Sequence, residues 1–234
     1  MAITNVTSGN ALATTTTTLG LVAPTVLYAD IMLAIIHTND NTAVSGAGTG
    51  WTLIRADDNT AAQRGSLYWK RAAAEDSGST NNFTVAGTTV AYGIITAWRG
   101  CVQHRNPIGN TTVSANASAD AITYATLTPL TTAGAIVAIG LYADDLTTAG
   151  GITGTDPTFA SIVDVETTTG NDASIMVDWG VFTGIATGAR SQTTTSTADA
   201  VNIGYLVELI AHVPAGGVRS TQVTYPKIAR TSRF

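Results

Sequence analysis

The sequence predicts an all-β fold: an antiparallel β-sandwich or jelly roll built from two internally repeated halves, followed by an extended C-terminal arm. Three observations carry this expectation. Four segments of the first half recur in the same order in the second. Apolar residues alternate with polar ones, or run unbroken over strand-sized lengths. No stretch keeps a 3.6-residue apolar period between helix caps.

The repeat sets the organisation. DIMLAIIHTND (30–40) matches GAIVAIGLYAD (134–144), and GWTLIRADDNT from Gly50 matches TFASIVDVETTTG from Thr158. SLYWKRAAAEDSG from Ser66 matches SIMVDWGVFTGIATG from Ser174, and YGIITAWRG from Tyr92 matches IGYLVELIA from Ile203. The offsets are 104 to 111 residues. The halves then cover about 10–105 and 115–212, in a body spanning 1–213. Each half offers about four good strands, too few to close a core alone, so one shared jelly roll fed by both halves is the expected body.

Each strand has its own signal. Ile31 to Ile36 and Ile136 to Leu141 are continuous apolar runs of strand length, as in central strands covered on both faces. Trp51 to Ile54 leads into a polar loop, Arg55 to Arg64. Leu67 to Arg71 alternates, with Leu67 and Trp69 on one face and Tyr68 and Lys70 on the other. Tyr92 to Trp98 reads as a long buried strand. Clusters of Gly, Asn, Asp and Ser at 39–41, 45–50, 57–60, 77–82, 109–110, 149–154 and 167–172 supply the turns.

Composition narrows the function classes. Charged residues make up 12% of the 234-residue chain, about half the usual share. Threonine takes over the polar role, and its β-branched side chain suits the exposed face of a strand. A rigid, low-charge exterior fits a particle-bound protein better than a cytoplasmic enzyme. The single Cys101 excludes an internal disulfide framework. MAITNVTSGN lacks the basic and apolar regions of a signal peptide, and no apolar run approaches a membrane span. Synthesis in a cytoplasm as a soluble chain is the expectation.

Charge is divided unevenly. After Glu208 no acidic residue follows, while Arg219, Lys227, Arg230 and Arg233 do. The body therefore keeps seven basic against sixteen acidic residues, a balance of −9, and the tail carries +4. Pro214 and two glycines open this tail, and Val218, Val223, Tyr225, Ile228 and Phe234 are spaced through it. It has no counterpart in the first half. Apolar residues spaced along a polar extended segment suit strand addition or groove docking on another subunit. The expected anchoring residues are Arg219, Val223, Tyr225, Lys227, Ile228, Arg230, Arg233 and Phe234.

Catalytic chemistry is not legible. His37, His104 and His212 lack metal-ligand spacing, and His37 continues an apolar strand. The Asp57-Asp58-Asn59 and Asp144-Asp145 clusters read as turns, not cation sites. Glu75-Asp76 and Asp164/Glu166 are weak candidates for a glycosidase carboxylate pair. No G-x-S-x-G, phosphate loop or dinucleotide fingerprint occurs. No enzyme, cofactor or metal is expected, and the negative body disfavours nucleic acid. Among Trp51, Tyr68, Trp69, Trp98 and Trp179, core filling explains Trp98. Tyr68 and Trp69 point to opposite faces, so one of them is the candidate for a glycan contact.

The stretch from Gly50 to Gly100 resembles a module of tailed-bacteriophage virion proteins. The resemblance rests on G-W-T-L-I, a variable loop, Leu-Tyr-Trp-Lys-Arg-Ala, Phe83-Thr84-Val85, and an apolar strand closing on Trp98-Arg99-Gly100. Asn106-Pro107-Ile108 and the second-half opening at 126–143 fit the same pattern, which extends over about 10–212. It implies a β-sandwich structural protein on a phage particle. The resulting expectation is a capsid decoration or cement protein on the virion surface, bound to the major capsid protein or other virion proteins and to itself as a homo-oligomer, such as a trimer. A tail or fibre module that contacts host surface glycans is the alternative. No membrane partner is expected.

Overall fold

The computed structural model describes residues 2–213 except 47, 49, 88, 145–150, 155, 169–171, 183–185 and 196–199, and the side chain at 118. The proposed C-terminal anchors, Arg219 to Phe234, lie outside the described residues. The first half holds β1 (Thr4–Ser8), β2 (Leu12–Thr14), β3 (Thr18–Val22), β4 (Ile31–Asn39), β5 (Val44–Ser45), β6 (Thr52–Asn59), β7 (Gln63–Arg71), β8 (Thr80–Val85) and β9 (Ala91–Arg99). The second holds β10 (Ile108–Ala119), β11 (Ala121–Tyr124), β12 (Gly134–Tyr142), β13 (Ala160–Thr167), β14 (Ala173–Phe182), β15 (Arg190–Thr193) and β16 (Ala200–Ile210). A single 3-10 turn, Ala74–Asp76, is the only helical element among the described residues.

These strands form an antiparallel, all-β sandwich of sheets. The first half makes a main sheet in the order β1-β9-β4-β7-β6, with β2 also on β9, and a small sheet β3-β8-β5. The second makes β10-β16-β12-β14-β13 and a small sheet β11-β15. The four recurring segments fall on corresponding strands: β4 and β12, β6 and β13, β7 and β14, β9 and β16.

Burial follows from this layering. Ile31, Leu33 and Ile35 of β4 face a central core shared with Val137, Ile139 and Leu141 of β12 and with Ile203, Tyr205, Val207 and Leu209 of β16. Met32, Ala34 and Ile36 face the other way, onto Leu19, Leu21 and Phe83 of the small sheet. Ile136, Ala138 and Tyr142 likewise face Ile122 and Tyr124. β4 and β12 are covered on both faces, which is why their sequences are unbroken apolar runs. The strands β6 and β13 pair on one side only and keep mixed burial.

The sharing differs from the expected jelly roll fed by both halves. Each half keeps its own main sheet and its own outer layer, and what is shared is the central core. A lone main sheet buries only one of its apolar faces under its small layer, so the second face packs on the other half. Cross-seam bonds add to this apolar contact. Asn59 Nδ2 donates to the carbonyls of Asn116 (2.7 Å) and Asn202 (2.8 Å), and Tyr92 Oη donates to the Glu166 carbonyl at 3.1 Å.

Candidate functional site

Most of the residues singled out in the sequence have structural roles. Tyr68 is 5% exposed. Its ring lies against Phe83 and its hydroxyl donates to the Val44 carbonyl at 2.6 Å. It therefore presents no free face to a sugar. Trp69 is half-buried and packs on the central core. Trp98 is fully buried and Trp51 donates to Asn81 Oδ1 at 3.0 Å.

The carboxylates are likewise engaged. Asp57 pairs with Arg55 along β6 at 2.6 Å, and Asp58 pairs with Arg64 across the β6–β7 hairpin at 2.5 Å. Asp76 accepts from Lys70 Nζ at 2.6 Å and from the Ala73 amide at 2.7 Å, so it fixes the 3-10 turn. Asp178 lies buried beneath the second small sheet and accepts from Gln192 Nε2 at 2.7 Å, while Tyr124 donates to Gln192 Oε1 at 2.8 Å. Burial raises the Asp178 pKa, against the hydrogen bonds from Gln192 and Ser161. Among the described residues, no group of three or more His, Cys, Asp or Glu is placed to hold a metal ion.

The exposed site lies at one end of the body, where the two halves are joined. A groove of about 340 Å³ is lined by Leu27, Tyr28, Asp30, Arg99, Gln103 and His212, among others. Asp30, just before β4, is 3% exposed and holds Arg99 in a two-point bond at 2.9 and 2.7 Å. The same carboxylate accepts from the Leu27 amide at 2.8 Å, which locks the preceding turn. Ala29 within that turn has φ of 68°, an uncommon conformation for a residue with a side chain. The outcome is a rigid display: Leu27 is 59% and Tyr28 78% exposed.

The linker is tied down around this groove. Val102 N donates to the Ile210 carbonyl and His212 N to that of Gly100, at 2.9 and 2.7 Å. Arg71 Nη2 donates to the carbonyls of Val102 (2.9 Å) and Arg105 (3.1 Å). Burial lowers the Arg71 pKa and pushes that of Cys101 up to about 12. Nearby, Glu208 is fully buried and accepts from the amides of Asn110, Leu130 and Thr131 and from the Thr131 hydroxyl, at 2.7 to 3.0 Å. That pins a loop carrying Leu130, itself 66% exposed. Val213, where the described chain ends, is 73% exposed.

Sequence reasoning missed this end. Tyr28 sits in a short turn, APTVLYAD, with no strand alternation to mark it as outward-facing. In the sequence, Glu208 stands out only as the last acidic residue before the basic tail. No protein-family model, no curated protein and no solved structure matches this chain.

Proposed function

We propose that this is a virion structural protein of a tailed phage, a capsid decoration or cement protein that binds the outer shell and stabilises it. One observation carries the reading. Exposed Leu27 and Tyr28 line the groove together with His212, whose neighbour Val213 is also exposed. Apolar side chains fixed on a rigid turn are a ready contact surface, because little side-chain or loop ordering is lost on docking. The sequence from 214 to 234 is basic, a charge opposite to the body's own. Many copies on one particle convert a weak contact into a durable one, and self-association at a symmetry axis adds to it.

The test is binding to purified particles that lack the protein. The full chain is expected to saturate them, and a chain ending at residue 213 to bind at least tenfold more weakly. Full binding by the shortened chain together with full binding by Leu27→Asp and Tyr28→Ala variants would overturn the reading.

A second reading has a specific observation behind it. Tyr28 offers an exposed ring beside the polar groups of Arg99, Gln103 and His212, which suits a glycan. In that case Tyr28→Ala abolishes binding to host cells and leaves particle binding intact.

A further inference from the structure

At the opposite end of the seam the two main sheets meet through polar groups. Tyr92, His37, Gly65 and Asp57 stand side by side on β9, β4, β7 and β6. Gly65 leaves a gap in this row, and Tyr205 of β16 fills it: a methyl group at Gly65 would run into the Tyr205 hydroxyl and come within 2.7 Å of Leu141. Gln63, two residues along β7 on the same face, is fully buried. Among the described residues, both nitrogens of His37, both polar atoms of Gln63 and the Tyr205 hydroxyl are buried without a hydrogen-bond partner.

We propose that this end of the seam is an acid-sensitive latch: protonation of His37 drives a local opening around Gly65 and Tyr205, while the Trp98–Trp179 end stays closed. Unpartnered buried polar groups hold such a site at the low end of local stability. A cation there would be far worse placed. Burial has already lowered the His37 pKa from 6.5 to about 3. Among the described residues, the ionisable groups nearest in this row are Tyr92, which bonds the Glu166 carbonyl and feels the Glu166 charge, and, at and beyond Gly65, Tyr205 and the Asp57 carboxylate, which Arg55 occupies at 2.6 and 2.8 Å. Arg55 also lies 5.5 Å from the centre of the Tyr205 ring. Arg64 and Asp58 bond one another at 2.5 Å, on the residues that flank Gly65 and Asp57 along β7 and β6.

The sign follows from the two proton affinities. The closed state binds the proton only near pH 3, and an imidazole reached by water binds it near 6.5. Opening is therefore favoured as pH falls below 6.5. A single charge cannot separate a core as large as the central one, so the opening stays local. Trp98 pairs with Ile31 at the far end of β4 from His37, and its ring meets Trp179 across the seam.

Amide exchange on the full chain tests this. After correction for intrinsic rates, the opening equilibrium at Ile36–Thr38, Gly65–Leu67 and Tyr205 is expected to rise about tenfold per pH unit between 6 and 4. Amides around Trp98 and Val177 should not change. A His37→Leu variant should lose the pH dependence. Should that variant not fold, the imidazole is titrated by NMR in the unaltered chain and should stay neutral down to about pH 4. A flat exchange profile, equal loss of protection at both ends, or an imidazole titrating near 6.5 in the closed protein overturns the proposal.

Discussion

Trp98 of the first half and Trp179 of the second meet edge to face across the central seam, with 5.8 Å between ring centroids. Trp98 is fully buried, and its indole N–H is satisfied by Thr96 Oγ1 at 3.0 Å. Trp98→Ala is expected to cost about 3–5 kcal/mol through lost burial and the cavity left behind. Because the core is shared, the halves should unfold together. Denaturant titration followed by fluorescence and by circular dichroism should give coincident single transitions in the unaltered chain. Two separate transitions would show that each half is stable alone.

Glu208 anchors a loop through the hydrogen bonds its carboxylate accepts. Glu208→Ala leaves three backbone amides without their acceptor, while the Thr131 hydroxyl keeps only the Ala133 carbonyl. A loss of about 2–4 kcal/mol is expected, larger than for Glu208→Gln, which keeps one acceptor oxygen. Urea midpoints of the two variants check the order. If the groove end is the contact surface, Glu208→Ala should also weaken particle binding by freeing Leu130.

Gly65→Ala tests the close approach of the two sheets. The added methyl meets the Tyr205 hydroxyl and Leu141, neither of which has open space to move into. Destabilisation of about 1–3 kcal/mol is expected from overpacking. Tyr205→Phe in the same chain should recover part of it, because the hydroxyl is the first atom struck. Full additivity of the two changes would argue against that contact.

Cys101 should be chemically silent in the folded chain. It is 4% exposed, and burial pushes its pKa from 9 up to about 12. A thiol reagent at pH 8 should label it only after denaturant is added. The sign for stability is also set. A thiol held neutral by the fold contributes fully below pH 9, and that contribution is lost as pH rises from 9 towards 12. Cys101→Ala should flatten this part of the stability profile.

Much of the fold was legible in the sequence because strand burial writes itself into residue order. The apolar runs 31–36 and 136–141 became the doubly covered β4 and β12, whereas the polar loop expected from Arg55 to Arg64 is mostly strand: β6 runs on to Asn59 and β7 starts at Gln63, polar because β6 is a half-covered edge. The choice between Tyr68 and Trp69 stayed open in the sequence because alternation gives the two faces of a strand but not which of them another layer covers. The small sheet β3-β8-β5 covers its face. The exposed Tyr28 lay in a turn, where side-chain direction depends on the Asp30–Arg99 pair, formed between residues 69 positions apart.

The sequence by itself determined the class of fold and the uneven charge, since these depend on local periodicity and composition. Only the tertiary structure decided how the halves combine. Face-to-face packing of two main sheets is a contact between residues about a hundred positions apart, and nothing local specifies it. That packing put His37, a strand-end histidine in the sequence, into a sealed row with Gly65 beneath the Tyr205 hydroxyl. It also brought the linker, Asp30 and the end of β16 together into a single exposed groove. The physical reason is the same in both cases: the central core buries apolar faces that neither half covers alone, and the polar residues carried with them take whatever neighbours that burial dictates.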